Sequence, residues 1–64
     1  MRRTEFWQRM ERHFGRAYAG SVAHDQVIAQ LGGRTVEQAL AEGEDVKVVW
    51  RAVCLAFDVP ARER

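Results

Sequence analysis

A chain of 64 residues with a formal net charge of +1 is one domain near the lower size limit for an unaided apolar core. Its near-neutral balance excludes the overall positive field that draws proteins onto nucleic acid or anionic membranes. At 47% hydrophobic and 30% charged, with one proline and one cysteine, it reads as a globular chain that holds no intrachain disulfide, so the cytoplasm is the default compartment.

Met1-Arg2-Arg3 has the charge of a signal n-region, but Glu5, Gln8, Arg9, Glu11 and Arg12 stand where its apolar stretch should run. No apolar run approaches the ~20 residues of a membrane helix. Thr4 is placed to cap a first helix whose Phe6, Trp7, Met10 and Phe14 recur at helical spacing, with Gly15 as its stop. Its wet face carries Gln8, Arg9, Glu11 and Arg12.

From Arg16 to Leu31, Tyr18, Val22, Ile28 and Leu31 suggest a helical stripe interrupted at Gly20-Ser21. Two readings stand: one helix weakened at Gly20, or a turn followed by a helix capped at Ser21. The continuous helix is favoured, ended by Gly32-Gly33. Thr35-Val36-Glu37-Gln38 has the pattern of a capping box that opens a two-turn helix with Val36, Ala39 and Leu40 inward and Gly43 as its stop. Asp45 should cap a last helix, Val46 to Phe57, closed by Asp58-Val59-Pro60. Its inward stripe is Val46, Val49, Trp50, Val53 and Phe57, and residues Ala61 to Arg64 are expected to fray.

No segment alternates long enough for a strand and no repeat appears, so the expected fold is all-α: a compact single-domain bundle of four helices, three longer and one of two turns. The first, second and last helices should form its walls. Phe6, Trp7, Phe14, Trp50 and Phe57 would supply much of the core, each worth ~1.5–3 kcal/mol when fully buried.

The stretch Val27 to Glu42 has the spacing of a DNA-reading helix-turn-helix, but its chemistry is wrong. A recognition helix must offer Arg, Lys, Asn or Gln to base edges beside phosphates. This one offers Glu37, Gln38 and Glu42, followed by Glu44 and Asp45, and residues 17–45 carry a net charge of −4. The positive charge lies at the two ends, +3 over residues 1–16 and +2 over residues 46–64. If the first and last helices pack side by side, Arg2, Arg3, Arg9, Arg12, Lys47 and Arg51 form a mildly basic surface. Such a surface suits an acidic protein or nucleic acid bound without sequence readout; a solvated face paired with neighbouring acids is the simpler reading.

His13, His24 and Cys54 are the chain's only soft or borderline metal ligands and make no close pair of zinc-site spacing. Cys54, beside the last helix's apolar stripe, reads as a small buried hydrophobe. No catalytic pair, calcium loop or phosphate-cradling glycine loop emerges, so no cofactor, metal or small-molecule substrate is expected. Val48, Ala52 and Leu55 fall on the back of the last helix at i, i+4 and i+7, a candidate interface for a partner or a second copy.

TEFWQRMERHFG, LGGRTVEQAL and VWRAVCLAFDVP together resemble a family of short actinobacterial proteins known as a domain of unknown function. The resemblance covers nearly the whole chain. It implies a stand-alone small helical protein with no transferable activity or cofactor, and a lean toward DNA repair or recombination because such genes are often its neighbours. Residues 48 and 55 are more usually polar in that family, so Val48 and Leu55 look like departures. The expectation is therefore a non-enzymatic helical domain that binds another protein, with weak nonspecific nucleic-acid binding as the alternative.

Overall fold

Aromatic and aliphatic side chains at helical spacing in the first dozen residues, and again after Asp45, generate the two helices that carry the core. In the computed structural model, which describes residues 1–63, α1 spans Arg3–Phe14, α2 Arg16–Asp25, α3 Val36–Ala41 and α4 Val46–Ala56. Short 3₁₀ turns occupy Ala29–Leu31 and Ala61–Glu63. The fold is all-α; among the described residues the extended pairing is limited to one antiparallel bridge between Ile28 and Arg34. One apolar cluster runs through every helix, with Phe6, Met10, Val22, Ile28, Leu31, Val36, Leu40, Val49, Trp50 and Val53 all buried as the sequence predicts.

Phe6 is the centre of the aromatic packing. Its ring meets Trp7 edge-on at 5.2 Å and Trp50 edge-on at 5.9 Å between centroids, the T-shaped geometry that rings prefer to stacking face to face. At the other end of α1, Phe14 meets Phe57 in the same way at 5.2 Å. These contacts staple α1 to α4. Trp7, Phe14 and Phe57 are half-buried against the cluster rather than enclosed by it, so they contribute less than full burial would.

Gly15 does more than stop α1. At φ 90° and ψ 147° it is both the last cap of α1 and the first of α2, and a side chain at that φ would be strained. One residue therefore reverses the chain and lets α2 pack chiefly against α1.

The continuous helix from Arg16 to Leu31 does not form. α2 ends at Asp25, and Gln26 is extended. Geometry gives the reason: Val22 and Ile28 are six residues apart, about 240° round a helix at 100° per residue, so one helix could not turn both inward. Ending α2 lets Ile28 take up an extended backbone, accept Gly33 N–H and donate to Arg34 C=O, and become fully buried. The inward face of α2 is Ala19, Val22 and Ala23. Tyr18, expected in the core, lies about a right angle from that face and is 62% exposed. Gly20 does not interrupt the helix.

Thr4 is not the N-cap of α1. The helix begins one residue earlier, at Arg3, with Arg2 capping without a side-chain bond. The Arg3 guanidinium instead reaches across to Leu40 C=O at 3.2 Å, tying the start of α1 to α3. The capping box at α3 forms as its pattern implies: Gln38 N–H donates to Thr35 Oγ1 at 3.1 Å and Thr35 N–H donates to the Gln38 side chain at 2.9 Å. Asp45 caps α4 by accepting from Lys47 N–H at 2.8 Å.

Ala61–Glu63 form a 3₁₀ turn. Val59 is 1% exposed and Glu63 meets His13 of α1 at 2.8 Å, so the chain folds back over the α1–α4 end. Arg64 lies outside the described residues.

Candidate basic-rimmed groove between α1 and α4

The helix-turn-helix spacing has no matching structure. Residues 27–31 are an extended pair and a 3₁₀ turn, not a supporting α-helix. Arg34, the one arginine or lysine of residues 17–45, turns back onto its own segment. Its guanidinium donates to Glu42 at 2.8 Å and to Glu44 at 2.9 Å, and its Nε donates to Leu31 C=O at 2.7 Å. The Glu44 and Glu42 hydrogen bonds raise its already high pKa. The exposed face of α3 thus presents Glu37 and Gln38 with no cation free to approach a phosphate.

α1 and α4 come together and leave a groove of about 370 Å³. Two elements build it. α4 turns Val49 and Val53 into the core, which brings Trp50 and Cys54 to the edge of the core and sets Lys47, Arg51 and Leu55 at i, i+4 and i+8 along one outer strip. α1 turns Phe6 and Met10 inward, which leaves Arg9 on the flank facing α4. The groove floor is Trp50 and Cys54, both buried; Met1 and Leu55 extend it with exposed apolar surface, and Arg9, Lys47 and Arg51 border it. Among the described residues that line it there is no carboxylate side chain.

Within that floor the indole of Trp50 is 4% exposed, and its N–H meets no acceptor among the described residues. A buried donor without a partner costs about 1–3 kcal/mol, so this site carries a polar deficit inside an otherwise apolar wall.

The predicted basic surface is divided by the fold. Arg9, Lys47 and Arg51 are brought together at the groove; Arg3 is drawn away to Leu40; Arg2, just before α1, and Arg12, on α1, remain exposed and do not line the groove. The predicted apolar back of α4 is divided as well. Leu55 is 58% and Val48 44% exposed, but Ala52 is buried at 5%, because α4 also packs against the Ala29–Leu31 turn. Ala52 therefore presents no surface between Val48 and Leu55, and Leu55 also lines the groove.

A model of the DUF3046 family, described as a protein of unknown function, matches residues 1–62. The chain belongs to this family. No curated protein and no solved structure matches it.

Sequence reasoning placed Trp50 and Cys54 of this DUF3046 protein in the core and Lys47, Arg51 and Leu55 in two separate surfaces. The missed feature was their union, and the signal for it was present: the i, i+4, i+8 run Lys47, Arg51, Leu55 sets two cations and one apolar side chain along a single helical strip. The contribution of Met1 carried no signal in the pattern. The histidines take no part in the groove: His13 meets Glu63, and the exposed His24 meets Glu37 at 3.1 Å. Among the described residues no three His, Cys, Asp or Glu side chains gather as a metal site, and no helix is long and apolar enough to cross a membrane.

Proposed function

We propose that this DUF3046 protein is a non-enzymatic protein-interaction module that docks its partner on the α1–α4 face. The observation that carries the reading is the groove itself, where Arg9, Lys47 and Arg51 surround an apolar floor and exposed Leu55. Apolar anchors in a concave floor with a charged rim are the usual anatomy of a docking site. A volume near 370 Å³ accommodates one or two bulky side chains. Titratable groups arranged as nucleophile and base are not part of the face, which supports binding over chemistry.

A second reading is supported by the same three cations: weak nucleic-acid binding without sequence readout, using Arg9, Lys47 and Arg51 with the nearby Arg2 and Arg12. Single strands bind by stacking bases on exposed aromatics, whereas here Trp50 is buried and Leu55 and Val48 offer nothing to a phosphate. The protein reading is therefore preferred. Work beside DNA recombination or repair proteins belongs to the same proposal and has the sequence resemblance as its only support.

A gel-shift titration with a mixed-sequence duplex at low and high salt separates the two. The nucleic-acid reading requires a shift at low salt whose log affinity falls with log salt at a slope of about −0.9 per phosphate contact. The protein-module reading expects no shift even at about 50 mM salt, where phosphate binding is only weakly screened; a steep salt-dependent shift abolished by Arg51→Glu would replace it.

A further inference from the structure

The chain leaves α4 through a strained residue. Asp58 sits at φ 57°, and among the described residues it alone, apart from glycines, has a positive φ. Val59 N–H donates back to Cys54 C=O at 3.0 Å, the Schellman pattern that ends a helix, in which the left-handed position is usually glycine. A side chain is disfavoured there, an aspartate less than most. The closed turn therefore holds backbone strain that an open one releases, and such strain gathers at switch segments.

Beyond this hinge the strap is held at two points. Val59 is 1% exposed within the apolar cluster, and among the described residues it is the sole buried one past α4. Glu63 meets His13 Nδ1 at 2.8 Å, on a ring that lies edge-on to Phe14 at 4.7 Å, while its N–H donates to Pro60 C=O and closes the last turn. Between the two holds Pro60, Ala61 and Arg62 are exposed. We infer that residues 58–63 form a latch over the Phe14–Phe57 end of the α1–α4 seam, which swings open about Asp58 while the four helices stay folded. Local opening of this kind draws on segments with few buried apolar contacts. Opening withdraws Val59 from the cluster, takes a donor from Cys54 C=O and bares an apolar seat that the chain otherwise fills itself. The latch is independent of the docking reading, since none of its described residues lines the groove.

Native-state amide hydrogen exchange on the full chain, followed from zero to sub-denaturing urea in wild type, Asp58→Gly and Glu63→Ala, tests the latch. In wild type the Val59 amide should exchange faster than those of Val49 and Val53 inside α4, through an opening nearly independent of urea because it exposes little surface. Asp58→Gly removes the strain of the closed turn and should slow Val59 exchange about fivefold or more. Glu63→Ala removes the hold on His13 and should speed it about two- to tenfold. A Val59 amide that exchanges only with global unfolding, together with Val49 and Val53, would make the strap part of the core and overturn the latch. Val59 exchange untouched by Glu63→Ala would overturn it as well, reducing the strap to separate fraying of its tip, and exchange untouched or quickened by Asp58→Gly would remove the hinge.

Discussion

Trp50 is the residue on which most of the molecule converges: it touches Phe6 in the core and floors the groove on its other side. Replacing it with alanine removes a large buried ring at a cost of about 3–5 kcal/mol, against a total stability of about 3–10 kcal/mol for a chain this size. Trp50→Ala should therefore be largely unfolded by far-UV circular dichroism at physiological temperature. Trp50→Phe is the informative partner. It keeps an aromatic edge toward Phe6 and deletes the N–H that finds no acceptor, so the lost area is partly offset by the lost desolvation penalty. Its urea midpoint should lie much nearer to wild type than to the alanine variant; a loss as large as that of alanine would mean that the indole N–H has a partner in solution. Tyr18 marks the opposite extreme. At 62% exposure, Tyr18→Ser should change stability by no more than about 0.5 kcal/mol, whereas the core placement read from its spacing would have made it costly.

A titratable contact belongs to this scale too. His24 Nδ1 donates to Glu37, and that hydrogen bond, the Glu37 charge and the nearby Asp25 charge together raise the His24 pKa. A histidine whose pKa is raised by folding lends stability that is complete below its unfolded value of about 6.5. That support is lost as pH rises through the raised folded value. The pair is exposed, so the effect on the unfolding midpoint should be slight, and the histidine titration itself is the better measure. The NMR midpoint of His24 should lie above 6.5 and fall back in Glu37→Gln; an unshifted wild-type midpoint would show that α2 and α3 are not tied there.

Among the elements, those with strong local signals were legible from the sequence. The Thr35 capping box, the Asp45 cap and the stop at Gly15 each follow from short-range hydrogen-bond or backbone rules that act whatever the rest of the chain does. The segment from Gln26 to Leu31 was not legible, because its conformation is set by a tertiary demand. Ile28 must reach the core, and only a broken helix with a bridge to Arg34 brings it there. Apart from Met1, the groove was legible residue by residue but not as a site, since it depends on how α1 and α4 are rotated against each other. Glycines turn this contrast into a prediction. Gly20 lies inside α2 with open space where a Cβ would stand, so Gly20→Ala should stabilise by about 0.5–1 kcal/mol through the unfolded chain's lost freedom. Gly15→Ala should instead destabilise by about 1–3 kcal/mol, because its positive φ strains a side chain even though space is free. Denaturant midpoints moving in the same direction for both would contradict the one-residue junction between α1 and α2.

At the scale of the whole molecule, a core this small is closed by whatever holds the chain's end against its beginning. α1 and α4 meet through Phe6–Trp50 and Phe14–Phe57, and the C-terminal residues return over that seam. Two contacts do this, and they differ in kind. Val59 is an apolar plug, 1% exposed, whose N–H donates to Cys54 C=O, whereas Glu63 meets His13 Nδ1 in a partly buried hydrogen bond at 2.8 Å. Burial should outweigh charge here. Val59→Ala gives up two methylene equivalents and leaves a small cavity, about 2 kcal/mol, while Glu63→Gln perturbs a single polar contact worth about 0.5–1.5 kcal/mol at most. Val59→Ala should therefore lower the urea midpoint more than Glu63→Gln, and hydrogen exchange should quicken at Phe57 and along α1 near Phe14 in the first variant alone. If Glu63→Gln were the more damaging of the two, the end of the chain would be held by electrostatics, and its attachment would weaken steeply with added salt.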